Sequence, residues 1–112
     1  TYIYSATTVL LSTTSPSTSW AAIDCSAFAP PNSTIIVNGY FENAATANNI
    51  LTFGSVTGTT LITVERDGPT SDDVYANFQF EITTDASGDF YYDTNGAAPT
   101  LNMWVTGFRE FN

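Results

Sequence analysis

The chain contains no histidine and no lysine, and its only cations are Arg66 and Arg109. Histidine is the usual general base near neutral pH and the commonest metal ligand, and lysine is the residue that forms Schiff bases. Catalysis would therefore have to rely on carboxylates, which are scattered along this sequence. We expect no enzymatic activity, no catalytic residues, and no residues that bind a cofactor or a metal.

Positive charge is also too scarce for a polyanion to bind. Eleven Asp and Glu residues against two Arg residues give a net charge of −9 at pH 7. Two arginines cannot form a basic surface for nucleic acid or for anionic lipid. No stretch reaches the roughly 18 apolar residues of a membrane-spanning helix. Nucleic acid and membrane are therefore not expected among the partners.

Cysteine is limited to one residue, Cys25, which excludes an internal disulfide framework and a thiolate zinc cluster. Stability must then come from packing, from bound ions or from assembly. Cys25 ends an apolar segment, and no His or Lys is present to lower its pKa. We interpret it as a small buried hydrophobe and not as a nucleophile.

The remaining composition is that of one folded domain. Hydrophobic residues make up 43% of the 112 residues and charged residues only 12%, whereas disordered chains show the opposite balance. A chain of this length can bury about two-thirds of its unfolded surface in one core. We predict a single β-sandwich domain over residues 1–112, in which residues 1–18 form an N-terminal strand and a Ser/Thr-rich connection.

Thr, Val, Ile, Phe and Tyr fill the apolar runs, which is typical of strands. The clearest strand is Val74 to Thr83, where Phe78, Phe80 and Ile82 share the apolar face of a period-two pattern and are predicted to face the core. The other predicted strands are Tyr2 to Leu11, Trp20 to Cys25, Thr34 to Phe41, Ile50 to Phe53, Leu61 to Arg66, Phe90 to Asp93 and Leu101 to Phe108.

Gly, Pro, Asn and Asp residues separate these runs and indicate turns. Turns at this spacing in an all-strand sequence indicate two antiparallel sheets packed face to face. We therefore predict an all-β fold, an antiparallel β-sandwich that is jelly-roll-like, with about eight strands. Two of them, at Thr34 to Val37 and at Leu101 to Val105, place large apolar groups on both sides, which suits a subunit covered by neighbours.

Two acidic segments allow alternative interpretations. Asp85-Ala86-Ser87-Gly88-Asp89 places oxygen-bearing side chains at alternate positions, as a calcium loop does, but a Ser-Gly hairpin turn between two strands explains it fully. We favour the turn. Asp72-Asp73 could form a carboxylate pair, yet neighbours on an extended chain point to opposite sides, so we favour a solvated loop.

Other surface features could carry recognition. Asn32-Ser33-Thr34 is a glycosylation sequon, which matters only in a glycosylating secretory route. Tyrosines predicted to be exposed could stack on sugar rings or form a protein interface, and both possibilities stay open. These tyrosines are Tyr2, Tyr4, Tyr40, Tyr75, Tyr91 and Tyr92.

The order of several short motifs resembles a small β domain of phage tail-fibre, head-fibre and capsid-decoration proteins. The matching segments are Trp20-Ala-Ala-Ile-Asp-Cys-Ser-Ala-Phe28, the turn Pro30-Pro31-Asn32-Ser33, the strand Thr34-Ile-Ile-Val37, Ile62-Thr-Val-Glu-Arg-Asp-Gly68, the hairpin Thr84 to Tyr92 and the closing Met103-Trp-Val-Thr-Gly-Phe108. In the family pattern Leu stands at the position of Cys25 and Tyr at that of Phe108. The family-like core spans residues 19–110.

This resemblance implies a jelly-roll-like sandwich that builds or presents part of a virion, and it carries no catalytic residues. The implied partners are other copies of the chain, as a trimer by analogy with fibre proteins, and other virion proteins, in a virion or extracellular location. The alternatives are a carbohydrate- or receptor-binding module, with a surface glycan as partner, and a subunit of an extracellular filament that donates its Tyr2 to Leu11 strand. An enzyme ranks last.

Overall fold

The computed structural model describes the backbone of residues 2–42, 49–66, 75–95 and 100–109, and within these ranges it contains eight strands and no helix. The strands are β1 (Tyr2–Thr13), β2 (Ala21–Asp24), β3 (Thr34–Glu42), β4 (Asn49–Gly54), β5 (Ile62–Arg66), β6 (Tyr75–Thr83), β7 (Asp89–Thr94) and β8 (Thr100–Arg109). Each corresponds to a predicted strand, and the ends differ by no more than two residues.

The strands form two four-stranded antiparallel sheets. The first sheet has the order β1-β8-β3-β6 and the second has the order β2-β7-β4-β5. Consecutive strands therefore alternate between the sheets, except for β4 and β5, which pair as neighbours within the second sheet. This is the double Greek-key order of a jelly roll. The prediction of an antiparallel, jelly-roll-like β-sandwich is confirmed.

Period-two alternation in the strands supplies the core between the sheets. On β8, Leu101, Met103 and Val105 are fully buried, and the residues between them point to the other side of the sheet. On β4 of the opposite sheet, Leu51 and Phe53 are also fully buried and enter the core. The sheets are thus joined by inward side chains.

An aromatic cluster links the two sheets at one side of the sandwich. Phe53 of the second sheet lies with its ring centroid 4.5 Å from that of Phe80 and 5.6 Å from that of Phe78, both on β6 of the first sheet. Ile82 on the same face is buried, so the predicted inward direction of Phe78, Phe80 and Ile82 is confirmed. Phe78 and Phe80 remain partly exposed because β6 is an edge strand.

Gly39, at the centre of β3, makes room for this cluster. A Cβ atom there would lie 2.5 Å from the ring of Phe78 and 2.5 Å from the carbonyl oxygen of Asn102 on β8. Real side chains do not approach backbone so closely, and a glycine in a strand interior is typical of such close packing. The absent side chain lets the Phe78 ring lie over the strand.

We expect Phe53→Ala to lower the free energy of unfolding by about 3–5 kcal/mol, the usual cost of removing a buried aromatic ring. Phe80→Ala should cost less, because part of its ring already contacts water. Urea denaturation measures the free energy of unfolding of both variants, provided that its dependence on urea concentration is unchanged from the wild type. An equal or larger loss for Phe80→Ala would contradict the partial exposure of the Phe80 ring.

Candidate interaction surface

The outward side of the first sheet has an aromatic centre, which we name the Trp104 face. Trp104 on β8 lies opposite Val9 of β1 on one side and opposite Asn38 of β3 on the other. Cross-strand partners project to the same side of a sheet. The face consists of Val9, Asn38, Tyr40, Asn102, Trp104 and Thr106.

Apolar groups in this face are open to solvent. The rings of Tyr40 and Trp104 meet edge to face, with centroids 6.1 Å apart and an interplanar angle of 64°. Both residues are partly exposed, and Val9 beside them is 68% exposed. Aromatic rings in this geometry attract each other beyond their buried area, so the contact stabilises the arrangement of the two rings.

Polar side chains next to the aromatic pair are held in place by hydrogen bonds. Ser12 Oγ donates to Asn102 Oδ1 over 2.7 Å, and Asn38 Nδ2 donates to Thr106 Oγ1 over 3.2 Å. Each bond uses one of the two polar ends of its amide. The other ends of both amides can serve a partner molecule or water.

Charge lies at the two ends of this side of the sheet and not at its centre, with Glu42 at one end and Arg109 with Glu81 at the other. Arg109 Nη2 lies 3.7 Å from Glu81 Oε1, and both side chains are about two-fifths exposed, at 43% and 41%. Next to Glu81 across the strands, Ile36 projects outward yet is only 9% exposed. Both sides of Thr34 to Val37 are thus buried within the chain itself, so this segment does not expose the apolar surface that we expected a neighbouring subunit to cover.

The outward side of the second sheet is acidic. Its strands present Asp24, Glu65, Asp89 and Asp93, which we name the acidic face. Asp24 and Asp89 are direct cross-strand partners, an arrangement that is destabilising for like charges. Burial raises the pKa of Asp89, and the negative charges of Asp85 and Asp24 raise it further.

The Asp85 to Asp89 segment is a turn, as we favoured from the sequence, but it is not a hairpin, because it connects β6 of the first sheet to β7 of the second. Asp85 Oδ1 accepts the backbone N–H groups of Ser87 and Asp89, each over 2.9 Å, and Asp85 Oδ2 accepts the Tyr91 hydroxyl over 2.7 Å. Gly88 has φ of 84°, in the left-handed region that a glycine adopts without strain. These hydrogen bonds already occupy the carboxylate on which a calcium loop would depend.

The Asp85 hydrogen bonds favour the ionised carboxylate. The N–H of Asp89 contributes most to the lowered pKa of Asp85, and the Tyr91 hydroxyl contributes next. Among the residues that the structure describes, no group of three or more Cys, Asp or Glu side chains could hold a metal ion.

Cys25 is completely buried, which confirms its interpretation as a small core residue. Its N–H donates to the carbonyl of Gly88 over 2.9 Å and so ties the segment after β2 to the β6–β7 turn. Burial raises the pKa of the Cys25 thiol to about 12, with smaller contributions from the carboxylates of Asp24 and Asp89. The thiol is therefore protonated at neutral pH.

The prediction of exposed tyrosines is wrong for Tyr92, which is only 4% exposed. Neighbours on β7 point to opposite sides, so Tyr91 faces outward while Tyr92 enters the sandwich and accepts the N–H of Ser17 on its hydroxyl over 3.2 Å. Tyr40, in the Trp104 face, is partly exposed, in agreement with its prediction as a surface tyrosine. The side chains of Tyr2, Tyr4 and Tyr75 lie outside the described part of the chain, as does the pair Asp72-Asp73.

The sequon lies at a turn before β3. Asn32 is exposed and has φ of 61°, whereas Ser33 and Thr34 are buried. Ser33 Oγ donates to the carbonyl of Pro30 over 2.6 Å, and this bond holds the proline turn.

Sequence reasoning did not identify the pairing of Tyr40 with Trp104. The two residues are 64 positions apart, and only the register of β3 against β8 brings them together. The one signal in the sequence was the run Leu101 to Val105, whose apolar residues occupy both sides of a strand.

No model of a known protein family matches the chain, and no curated protein matches it. In the described ranges there is no helix of the length and hydropathy needed to cross a membrane.

We expect the Cys25 thiol of the native protein to react very slowly with a thiol-specific reagent at pH 8, because it is buried and protonated. The same thiol should react rapidly in about 6 M guanidinium chloride, because the unfolded chain exposes it to the reagent. A chromogenic disulfide reagent releases a coloured thiolate when it reacts, so absorbance measures both rates. Rapid labelling of folded protein would contradict the burial.

We expect the free energy of unfolding of Asp85→Asn to depend less on pH in the acid range than that of the wild type does. A lowered pKa in the folded state stabilises the fold above the unfolded value of about 3.9, and this contribution is lost as pH falls through the folded value. The stability difference between the wild type and Asp85→Asn should therefore shrink below about pH 4. Thermal unfolding from pH 6 to pH 2 tests this, and a difference independent of pH would refute it.

Proposed function

We propose that this domain is a structural subunit that acts through assembly, as a building or presenting module of a virion such as a capsid decoration or a head-fibre or tail-fibre subunit. Its partners in this proposal are other copies of the chain, as a trimer by analogy with fibre proteins, and other virion proteins. Its location is the virion or the extracellular space. The resemblance of the sequence motifs to phage domains and the jelly-roll order of the strands both support the proposal.

The observation that carries the proposal is the Trp104 face, an uncharged surface with exposed apolar groups on a protein of net charge −9. Like charges repel when identical subunits approach, and the acidic face would bring Asp24 and Asp89 of each copy together. The Trp104 face lets copies approach without that repulsion. Aromatic residues are also enriched at the centres of protein interfaces.

A mechanical role also agrees with the chemistry of the side chains. The chain has no histidine or lysine, the Cys25 thiol is protonated, and the Asp85 carboxylate is used to hold its own turn. We therefore propose a role without catalysis, and without nucleic acid or membrane as a partner.

A carbohydrate- or receptor-binding module is the second candidate. Tyr40 and Trp104 offer ring surfaces, and the amides of Asn38 and Asn102 lie beside them, which is the combination that recognises a sugar ring and its hydroxyls. The surface-filament alternative has less support, because β1 pairs with β8 of its own chain from Tyr2 to Thr13.

We expect purified protein to form oligomers whose mass persists or rises as salt screens the like charges. Val9→Asp should shift the mass towards the 12.1 kDa monomer, because it places a charge in the Trp104 face at a residue that is 68% exposed. Thr63→Asp is the matched control, since Thr63 is an exposed strand residue on the outward side of the second sheet. Light scattering after size exclusion measures all three.

A wild-type protein that stays monomeric at high concentration in moderate salt would reject assembly as the function. Equal effects of Val9→Asp and Thr63→Asp would reject the Trp104 face as the contact. A tryptophan fluorescence change on titrating a monomer with glycans, lost in Trp104→Ala, would instead support the binding module.

A further inference from the structure

The edge strand β6 is the most regular edge of the sandwich. It pairs with β3 at nine consecutive positions, from Thr34 opposite Thr83 to Glu42 opposite Tyr75, without a shift of register. Its opposite edge therefore presents a straight row of backbone N–H and C=O groups, except at its last residue, where the Thr83 carbonyl accepts the Ser55 hydroxyl. Such an edge is a template for pairing with another strand unless a bulge, a proline or a charge blocks it.

The other three edge strands are shorter or irregular. Strand β1 changes register twice along β8, β2 has four residues and β5 has five. In β6 the only charged side chain is Glu81, which faces Arg109. The described part of the chain thus offers one long edge, from Tyr75 to Ile82, that no bulge or proline blocks.

Two apolar side chains of β6 are incompletely covered. Phe78 and Phe80 pack against the core cluster and stack with centroids 5.8 Å apart, yet both stay partly exposed. On the outward side of the same strand, Asn77, Gln79 and Glu81 are exposed. A strand that added to β6 would cover the two rings and pair with the backbone at once.

The sequence of β6 is complementary to itself about Gln79. In an antiparallel pair of two β6 strands centred there, Phe78 of each copy lies opposite Phe80 of the other, and Ala76 opposite Ile82. On the outward side Asn77 lies opposite Glu81, so no like charges meet across the pair. A two-fold interface requires this kind of self-complementarity, because one surface must fit itself.

We propose that β6 pairs with β6 of a second copy, antiparallel and centred on Gln79, so that two first sheets join into one continuous eight-stranded sheet. The contact lies at the edge of the sheet and leaves the Trp104 face uncovered. This proposal rests on the proposed function, because both require the protein to self-associate. The β6 contact is a second, two-fold contact in addition to the contact through the Trp104 face.

A disulfide trap tests both the contact and its register. Cβ atoms of directly opposed residues are about 4.5–5.5 Å apart, so two copies of Gln79→Cys can form a disulfide across the two-fold axis. Asn77→Cys is the control, because the proposed register puts its two copies four residues apart along the strand, about 14 Å. The buried Cys25 is common to both variants.

We expect mild oxidation to convert most of Gln79→Cys into a covalent dimer on a non-reducing gel, and Asn77→Cys to give at least tenfold less. A mixture of Asn77→Cys and Glu81→Cys should cross-link, because those residues face each other. Equal cross-linking of the Gln79→Cys and Asn77→Cys variants, or none in either, would overturn the proposal.

Charge reversal gives a second measurement that needs no covalent bond. Gln79→Lys alone and Gln79→Glu alone should each shift the mass downward, because like charges then meet at the axis. Mixing the two should restore the dimer. The same pair of substitutions at Thr63, an exposed residue of β5, should have neither effect. Failure of the mixture to recover mass would contradict the pairing.

The outcomes separate this proposal from the proposed function. Cross-linking at Gln79 together with no effect of Val9→Asp would support the β6 contact and reject the Trp104 face. A mass decrease in Val9→Asp without cross-linking at Gln79 would support the face and reject the β6 contact.

Discussion

The contact of Phe53 with Phe80 and Phe78 joins two sheets that no disulfide links. A 12.1 kDa domain has a small core, so such inward aromatic contacts must supply much of the apolar burial that opposes chain entropy. Gly39 is part of the same arrangement, because a side chain there would overlap the Phe78 ring. The cluster also lies beside the β6 edge, where its rings remain open to a partner.

Because side chains alternate along a strand, the inward residues determine which residues point outward. The outward sides of the two sheets differ in charge. The second sheet places Asp24 next to Asp89, whereas the first sheet places Trp104 next to Tyr40 and Val9. A strongly acidic protein therefore has one acidic face and another whose centre is uncharged and aromatic. The pKa of Asp89 reflects the negative charge of the acidic face, because it is raised by burial and then by the neighbouring carboxylates.

Local patterns in the sequence were sufficient for the strands and for several individual residues. Period-two alternation placed Phe78, Phe80 and Ile82 inward. The position of Cys25 at the end of an apolar segment, in a chain without His or Lys, indicated a buried core residue and not a nucleophile. Alternation on β7 could also have separated Tyr91 from Tyr92, but we treated all the tyrosines as surface residues. The Asp85 turn was predicted from its Ser-Gly spacing, and hydrogen bonds within the turn explain it.

Properties that depend on sheet order could not be predicted in this way. The edge position of β6 makes Phe78 and Phe80 partly exposed, and no local pattern tells an edge strand from a central one. The meeting of Tyr40 with Trp104 depends on the long-range pairing of β3 with β8. Those non-local contacts define both surfaces from which we infer assembly.

The central claim is that the Trp104 face is covered when copies associate. A Trp20→Phe variant leaves Trp104 as the only tryptophan, so its emission and its quenching by acrylamide report on that face alone. As protein concentration rises through the association range, we predict a blue shift of the emission and weaker quenching. A rise in particle mass with unchanged quenching of Trp104 would contradict the account.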